Sequence, residues 1–288
     1  MTGALPGSWE LPGLRTFRRC AVMGVLNVTP DSFSDGGAWA SPDAAIKHGG
    51  ELVSDGADIV DVGGESTRPG AARVSPDEEL RRVVPVVRAL AADGAVVSID
   101  TSRSAVAAAC VAAGALMVND VTGGRGDPDM ARVVAETGVA YVLMHSRGTS
   151  GDMQDLVSYD DVVATVAAEL TLSLERMVTA GVSVDQVVLD PGLGFAKAGE
   201  HNLVLLAALA ELRALGRPLL IGASRKSFLG RLLHERGKGE RPVDDRDDAT
   251  QAITAVAAWE GAWGVRVHAA RAAADAVRVV AAIQAARP

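Results

Sequence analysis

The sequence has 288 residues, of which 48% are hydrophobic and 22% are charged, a composition typical of a globular protein. These fractions exclude intrinsic disorder and collagen-like or low-complexity chains. A formal net charge of −8 and an aromatic content of 3% argue against sequence-independent binding to nucleic acid or to an anionic membrane surface, so any anionic ligand needs a local cationic site.

An extension of residues 1–18 precedes the first predicted strand. Pro6 and Pro12 interrupt it, and it contains no apolar run of signal-peptide length. We therefore expect the extension to be loosely ordered and the protein not to be exported.

The two cysteines, Cys20 and Cys110, lie in apolar runs and are too few for a disulfide framework. Both are interpreted as core residues of a protein from a reducing compartment. The longest apolar stretch, residues 105–118, falls short of the roughly 18 residues that span a bilayer. These features predict a cytoplasmic protein with no membrane partner.

Eight short β-branched runs follow one another along the chain, each followed by an alanine-rich, helix-like segment. They cover residues 20–26, 59–62, 96–99, 116–118, 140–144, 186–189, 218–221 and 264–267. Their ends recur about every 34 residues, which suits a strand–helix unit of roughly 30 residues or more. The repetition predicts an α/β fold, a single (β/α)8 TIM barrel. An open doubly wound sheet is the alternative, because a sequence does not show whether the first and last strands pair.

No linker rich in proline, glycine or serine interrupts this alternation, so residues 1–288 are interpreted as a single domain. The most polar stretch, residues 235–248, lies between the seventh predicted strand and the helix after it. We interpret that stretch as a solvated loop rather than a binding segment.

Polar side chains follow the predicted strands. In a barrel enzyme the carboxyl ends of the strands meet at one mouth, where the active site lies. Each polar residue alone could cap a helix or close a barrel layer, but together they predict one shared pocket. The residues are Asn27, Asp61, Asp100, Asn119, His145, Asp190, Ser224, Lys226, Arg266 and His268.

This set of side chains suits a flat heterocycle with an amide-like edge. Carboxylates accept from ring N–H and amino groups, amides both donate and accept, lysine donates to a carbonyl, and arginine stacks. Lys226, Arg266 and His268 follow the last two strands, where barrels usually bind phosphate. The pocket is therefore predicted to hold an anionic group beside the heterocycle.

Two long loops, residues 23–37 and 61–70, carry glycine pairs and a concentration of polar groups. Their glycines permit backbone movement, and Asn27, Asp35, Thr67 and Arg68 offer metal, hydroxyl and cationic contacts for phosphates. A pair of plain surface turns is the alternative interpretation. Neither loop has the spacing of a P-loop or a Rossmann turn.

Taken in order, the motifs of this chain closely resemble the dihydropteroate synthases of the pterin-binding family over nearly the full length. One departure is Ala269, where the family commonly has aspartate after the last motif, which puts a supporting interaction of His268 in doubt. The motifs are LNVTPDSFSDGG (26–37), GGESTRPG (63–70), SIDT (98–101), VND (118–120), LMH (143–145), MQ (153–154), LDPGLGFAK (189–197), SRKSF (224–228) and RVH (266–268).

The resemblance implies one pterin-binding TIM-barrel domain that condenses 6-hydroxymethyl-7,8-dihydropterin diphosphate with 4-aminobenzoate in folate biosynthesis. It also implies Mg²⁺ on the diphosphate, with Asn27 as a ligand, and a homodimer that contacts through barrel helices. Asp35, Lys226 and Arg266 take the catalytic roles by this resemblance. The implied substrate-binding residues are Asp100, Asn119, Asp190, Lys226 and Arg266 for the pterin, Thr67, Arg68 and His268 for the diphosphate, and Phe33, Pro69, Phe195 and Ser227 for aminobenzoate.

Two other functions compete with this interpretation. A pterin-dependent methyltransferase would also place Asp and Asn at strand ends, but it has no need of the loop from Glu65 to Pro69 or of the turn around Lys226. A non-catalytic pterin-binding paralogue is expected to lose loop residues first. The residues Asn27, Thr67, Arg68 and Lys226 are all present.

Overall fold

The computed structural model describes residues 9–29, 42–66, 73–148, 153–236 and 239–287, and it describes the side chains of all of these except 153 and 154. Eight strands alternate with helices along the described chain. The strands are β1 Ala21–Asn27, β2 Ile59–Gly63, β3 Val97–Asp100, β4 Met117–Asp120, β5 Ala140–Met144, β6 Val187–Asp190, β7 Leu220–Ile221 and β8 Gly264–Val267. All eight predicted strands are confirmed, with boundaries that differ by at most two residues.

The strands form one parallel sheet in the order β6-β5-β4-β3-β2-β1-β8-β7. β1 pairs with both β2 and β8, with Met23 opposite Ile59 on one side and opposite Arg266 on the other. An isolated parallel bridge between Leu189 and Leu219 joins β6 to the segment that enters β7. The sheet therefore closes into a (β/α)8 barrel, and the open doubly wound alternative is wrong.

Helices cover the outside of the barrel, and local sequence signals explain several of their ends. The Ser75 side chain caps the start of α2, where Pro76 takes a first-turn position. The Asp161 carboxylate caps α5 by accepting from two backbone N–H groups, and Gly138 ends α4 with a positive φ of 70°. The helices are α1 Pro42–Ser54, α2 Pro76–Ala92, α3 Ser104–Ala112, α4 Met130–Thr137, α5 Val162–Thr179, α6 Gly199–Ala207, α7 Leu209–Arg213, α8 Ser227–Leu232, α9 Asp247–Trp259 and α10 Ala270–Ala285.

The hydrophobic core has two parts, because successive side chains of a strand point to opposite faces of the sheet. Residues such as Val60, Val118 and Leu189 face the helices in a large outer cluster. Their neighbours face inward and fill the lower part of the barrel. The inner cluster contains Ala21, Met23, Ile59, Met117, Ala140, Val142, Val188, Leu220 and Trp263.

Residues 9–17 close the amino-terminal end of the barrel. Leu11 and Phe17 are buried in the inner cluster, and the Phe17 ring meets Trp263 edge to face, with 6.1 Å between ring centroids. Arg19 donates to both oxygens of the buried Asp58 carboxylate at 2.7 and 3.1 Å. This part of the predicted loose extension thus packs as part of the barrel.

Among the described residues, no helix combines the length and apolar character needed to cross a membrane.

Candidate active site

The strand alternation that fills the lower barrel also places polar side chains inside its upper end. Ile59, Met117 and Val188 face the inside of the barrel. The residues two positions later on the same strands therefore also point inward, in the next layer; they are Asp61, Asn119 and Asp190. Asp100 ends β3, and Arg266 lies within β8. All four acidic and amide side chains are buried. The structure thus brings together five of the predicted strand-end residues in one mouth.

Arg266 is the centre of this cluster. Its Nε donates to Asp61 Oδ2 at 2.6 Å, and one terminal nitrogen donates to Asp100 Oδ2 at 2.7 Å. Asn119 Nδ2 donates to the same Asp61 oxygen at 2.9 Å. Two carboxylates therefore compensate the guanidinium charge and fix its plane across the mouth.

Asp61 and Asp100 each keep a buried oxygen for which the described residues provide no hydrogen-bond partner. Burial raises the pKa of Asp100 to about 7, although Arg266 opposes the shift. Buried polar atoms are normally satisfied, so an unpaired Asp100 acceptor inside a mouth is suited to a ligand N–H group.

Asp190 and Lys226 form the second charged pair of the mouth. Burial raises the pKa of Asp190, and the nearby Lys226 charge partly offsets that effect. Burial lowers the pKa of Lys226 to about 8, with Asp190 acting against the shift. Asp190 Oδ1 accepts from the Gly192 N–H at 2.7 Å, and the Lys226 ammonium donates to the Leu193 carbonyl oxygen. The ammonium also lies 4.7 Å from the centre of the Phe195 ring.

Two glycines keep side chains out of the region between these charged groups. A β-carbon added to Gly222 would lie 3.6 Å from Asp190 Oδ2 and 3.9 Å from Arg266 Cβ. A β-carbon on Gly63 would lie 3.7 Å from Asn27 Oδ1 and 3.8 Å from Asp100 Oδ2. Both added β-carbons would lie at ordinary contact distances, so glycine lines this part of the mouth with backbone alone. We call the space beside Gly63 and Gly222, between Arg266 and the carboxylates, the slot.

Asn27 fits the predicted role of a single magnesium ligand. Its side-chain oxygen lies at the carboxyl end of β1, beside the slot. The described residues contain no cluster of three or more His, Cys, Asp or Glu side chains that could hold a metal. Mg²⁺ commonly uses one or two protein oxygens together with substrate phosphates and water, so one amide oxygen is a suitable donor set.

The turn after β7 places its polar residues on different sides. Ser224 Oγ lies 2.9 Å from His268 Nδ1, which links the ends of β7 and β8. Arg225 has a positive φ of 58° and binds the Asp247 carboxylate of α9 through two nitrogens. Lys226 precedes α8 as its N-cap and Ser227 is the first residue of that helix.

Ala269 is the N-cap residue of α10 and makes no side-chain cap hydrogen bond. An aspartate at this position, as in the family pattern, could accept from the free N–H groups of the first turn. The departure therefore removes a helix cap, while the contact between His268 and Ser224 is present.

His145 is the predicted strand-end residue that the structure directs elsewhere. Its Nε2 lies 2.9 Å from Glu169 of α5 and its Nδ1 lies 2.9 Å from Lys197 Nζ. It follows the inward-facing Met144 side of β5, so strand alternation turns it toward the helices. The hypothesis that it lines the mouth with the other residues is wrong.

Sequence reasoning did not assign a role to Asp61 or Lys197. Asp61 was recognisable as a strand-end carboxylate, but only the structure shows that it orients both Arg266 and Asn119. Lys197 is buried beneath the loop after β6, and sequence pattern alone does not reveal that position. Five other predicted site residues, Phe33, Asp35, Thr67, Arg68 and Pro69, lie outside the described residues.

Comparison with known proteins places these features in a family. A sequence model described as pterin binding enzyme matches residues 23–268. A dihydropteroate synthase from Mycobacterium leprae (strain TN) is 58% identical over 262 residues, which cover 91% of this chain and 92% of the relative.

Solved structures agree with that match. A dihydropteroate synthase from Xanthomonas albilineans with 4-aminobenzoic acid superposes with a TM-score of 0.87 at 44% identity, covering 95% of this chain and 96% of the other. The enzyme from the same organism in complex with 7,8-dihydropteroate gives a TM-score of 0.84 at 41% identity, covering 95% and 97%.

The barrel and its charged mouth thus define a pterin-binding barrel enzyme. The chain belongs to the pterin-binding enzyme family, and within it to the dihydropteroate synthases, transferases of folate biosynthesis. This membership confirms the resemblance carried by the motifs and decides against the methyltransferase.

Proposed function

We propose that the described mouth binds 6-hydroxymethyl-7,8-dihydropterin diphosphate and joins its methylene carbon to the amino group of 4-aminobenzoate. The observation that carries this proposal is the slot at Gly63 and Gly222, which is bordered by two buried carboxylates and two cations. A pterin ring presents N–H and amino donors on one edge and carbonyl and ring-nitrogen acceptors on another, so it matches this mixed set of groups.

In this proposal the edge of the pterin binds to Asp100, Asn119, Asp190 and Lys226. The second oxygen of Asp190 faces the slot and accepts from the ring, while Lys226 donates to a ring acceptor. Arg266 stacks on the face of the ring, and its two carboxylate partners hold it in place. Because those partners neutralise it, Arg266 does not repel positive charge that develops on the substrate.

The reaction itself is a substitution at the methylene carbon. The bond from this carbon to the diphosphate oxygen breaks, and diphosphate leaves with the electron pair. The aniline nitrogen forms the new carbon–nitrogen bond and releases a proton to solvent. The ring and nearby carboxylates stabilise the electron-poor carbon, with Asp35 proposed among them, so no protein nucleophile is required.

Asn27 would hold Mg²⁺ through its side-chain oxygen, and the bound ion would neutralise charge on the departing diphosphate. His268 lies at the end of β8 beside Ser224 and is proposed to bind the same diphosphate, together with Thr67 and Arg68.

The aminobenzoate site is proposed beside Lys226, where Phe195 and Ser227 lie. Phe195 is half-buried and its ring contacts the Lys226 ammonium, while Ser227 is exposed at the start of α8. Phe33 and Pro69 complete this site in the proposal. The crystal structure of the X. albilineans relative with 4-aminobenzoic acid supports a site for this ligand in the fold.

A direct assay tests the proposed reaction. The purified chain is mixed with the pterin diphosphate, 4-aminobenzoate and Mg²⁺, and dihydropteroate and diphosphate are followed by chromatography. We expect both products in equal amounts. Release of diphosphate without dihydropteroate would show hydrolysis instead and would contradict the proposal.

Asn27→Ala is expected to lower turnover at least about tenfold while leaving the affinity for a pterin analogue within about twofold, because the amide oxygen serves the metal and not the ring. Calorimetric titration gives the affinity, and the rate is measured as a function of Mg²⁺ concentration. An unchanged magnesium dependence in the variant would remove Asn27 from the metal site.

We also propose that two copies of the chain associate through α9 and α10. Large apolar side chains on these helices are exposed, among them Val256, Trp259, Val279 and Ile283. Gln284 of α10 donates to the Trp259 carbonyl oxygen at 3.2 Å, so the two helices present one continuous surface. An exposed apolar patch shared by two adjacent helices is typical of a homodimer interface.

Val279→Glu is expected to convert the dimer to a monomer, because Val279 is 58% exposed in the single chain and a carboxylate buried in an apolar interface is destabilising. Light scattering after gel filtration measures the molar mass. Leu172→Glu on α5, with 57% exposure, is the matched control and should remain dimeric. Equal masses for both variants would exclude this interface.

We propose a cytoplasmic location because both cysteines are buried and free. Cys20 and Cys110 are both buried as free thiols, and burial raises the pKa of each to about 12. Such thiols are unreactive core residues that suit a reducing compartment.

A further inference from the structure

The loop after β6 folds around a buried lysine. Lys197 is 2% exposed, and its Nζ lies 3.0 Å from the Gly192 oxygen, 3.0 Å from the Phe195 oxygen and 2.9 Å from His145 Nδ1. An ammonium group has three N–H donors, so these three acceptors satisfy it fully.

The backbone of this loop has an unusual shape. Gly192 and Gly194 have φ values of 67° and 79°, and Ala196, which carries a side chain, has a φ of 49°. A non-glycine residue rarely adopts this region, and it persists where the surroundings hold it. Lys197 binds two carbonyl groups of the loop, and the Tyr159 hydroxyl binds the Ala196 oxygen at 2.9 Å.

The charges around Lys197 come from several elements. Burial lowers its pKa to about 7, Asp190 of β6 and Glu169 of α5 oppose the shift, and Lys226 and Arg147 reinforce it. Burial also lowers the pKa of His145 to about 3, so its ring is neutral. With Nδ1 accepting from Lys197, Nε2 carries the proton and donates to Glu169.

We infer that Lys197 is a positioning residue for the second substrate: its ammonium holds the loop so that the Phe195 ring lies against Lys226. Lys197 does not reach the pterin edge in this arrangement, because its donors are occupied within the loop and by His145. The inference rests on the proposed function, since Phe195 belongs to the proposed aminobenzoate site.

The consequence is a selective kinetic effect. Without the ammonium, the Gly192 and Phe195 oxygens lose their shared donor and the ring is no longer held in place. The pterin contacts of Asp100, Asn119 and Arg266 are anchored on other strands, and only Asp190 and Lys226 bind the loop directly, through the Gly192 N–H and the Leu193 oxygen. Aminobenzoate recognition should therefore weaken more than pterin recognition.

The test compares steady-state kinetics at pH 6.5 for wild type, Lys197→Met and Phe195→Ala. For Lys197→Met we expect the KM for 4-aminobenzoate to rise about ten- to hundredfold, the loss typical of hydrogen bonds from a charged group, with the KM for the pterin diphosphate within about twofold. Lys47→Met replaces an exposed lysine of α1 and is the matched control, expected to behave as wild type.

A pH series separates positioning from general damage to the fold. Above its pKa of about 7, Lys197 of the wild type is a neutral amine with one N–H donor fewer, so the wild-type KM for aminobenzoate should rise. The ratio of the Lys197→Met KM to the wild-type KM should therefore be smaller at pH 8.5 than at pH 6.5. Groups that titrate independently of Lys197 act on both proteins and cancel in this ratio. A ratio that does not change with pH would contradict the inference.

The remaining outcomes are distinguishable. If Phe195→Ala leaves the aminobenzoate KM unchanged, the proposed aminobenzoate site is wrong. If Phe195→Ala raises this KM but Lys197→Met does not, the positioning role is overturned and the proposed site stands. If Lys197→Met is insoluble, Lys197→Leu, which likewise has no donor for the loop carbonyls, carries the test, and an aminobenzoate KM within about twofold of wild type overturns the inference.

Discussion

Asp190→Asn is expected to weaken the binding of a pterin analogue about ten- to 150-fold, equivalent to the roughly 1.5–3 kcal/mol of hydrogen bonds to a charged group. One oxygen of Asp190 is already occupied by the Gly192 N–H at 2.7 Å, so the other must serve the ligand. An amide at this position presents either a donor or a single acceptor to the ring and cannot reproduce the charge that pairs with Lys226.

The measurement is calorimetric titration of wild type and variant with the same pterin analogue, accompanied by thermal melting. Asp185→Asn is the matched control, because this aspartate lies just before the other end of β6 with its side chain 76% exposed. We expect the control to bind as wild type and both variants to remain folded. Affinity of Asp190→Asn within about twofold of wild type would remove this residue from the pterin site.

Arg266→Met is expected to lower the free energy of unfolding by about 3–5 kcal/mol, the usual effect of removing one partner from a buried ion pair. The variant leaves Asp61 and Asp100 buried next to each other without a cation. Turnover should also be lost, because the guanidinium forms one face of the slot.

The loss of stability should depend on pH in a defined direction. Burial raises the pKa of Asp100 from 3.8 to about 7 in the folded chain. The contribution of Asp100 to the free energy of unfolding is therefore complete below the pKa of the unfolded chain and is lost as pH rises through the pKa of the folded chain. Arg266 opposes this shift, and without it the pKa rises further. The penalty of Arg266→Met should therefore be larger at pH 8.5 than at pH 6.

Urea denaturation at both pH values measures these differences. Arg271→Met on α10 removes an exposed arginine that pairs with Asp55 and is expected to change stability by less than about 1 kcal/mol. An Arg266→Met penalty that is equal at pH 6 and pH 8.5 would mean that Asp100 does not titrate in this range.

Most of the barrel could be predicted because its strands are short, apolar and regularly spaced. The same regularity led from the strand-end residues to the mouth, since inward-facing positions repeat every second residue. His145 shows the limit of that reasoning. Asn119 and Asp190 lie two residues after the inward-facing Met117 and Val188, whereas His145 lies three residues after the inward-facing Val142 and so faces the other side of the sheet.

Other parts of the site depend on contacts between distant segments. Lys197 is buried because the loop after β6 folds over it and because His145, just after β5, accepts from it. Leu11 and Phe17 become core residues only when the barrel they close exists. Neither contact follows from local composition, because a single sequence does not show which distant residues meet.

The meeting of the two ends of the barrel has a consequence for synthesis on the ribosome. β1 pairs with β8, and Phe17 packs against Trp263, so the first strand leaves the exit tunnel long before its last neighbour is translated. Until then the nascent sheet has unpaired edges that can associate with other chains. Closure of such distant contacts is a slow folding step. We therefore expect the soluble yield of this chain to depend on chaperone protection until β8 has emerged.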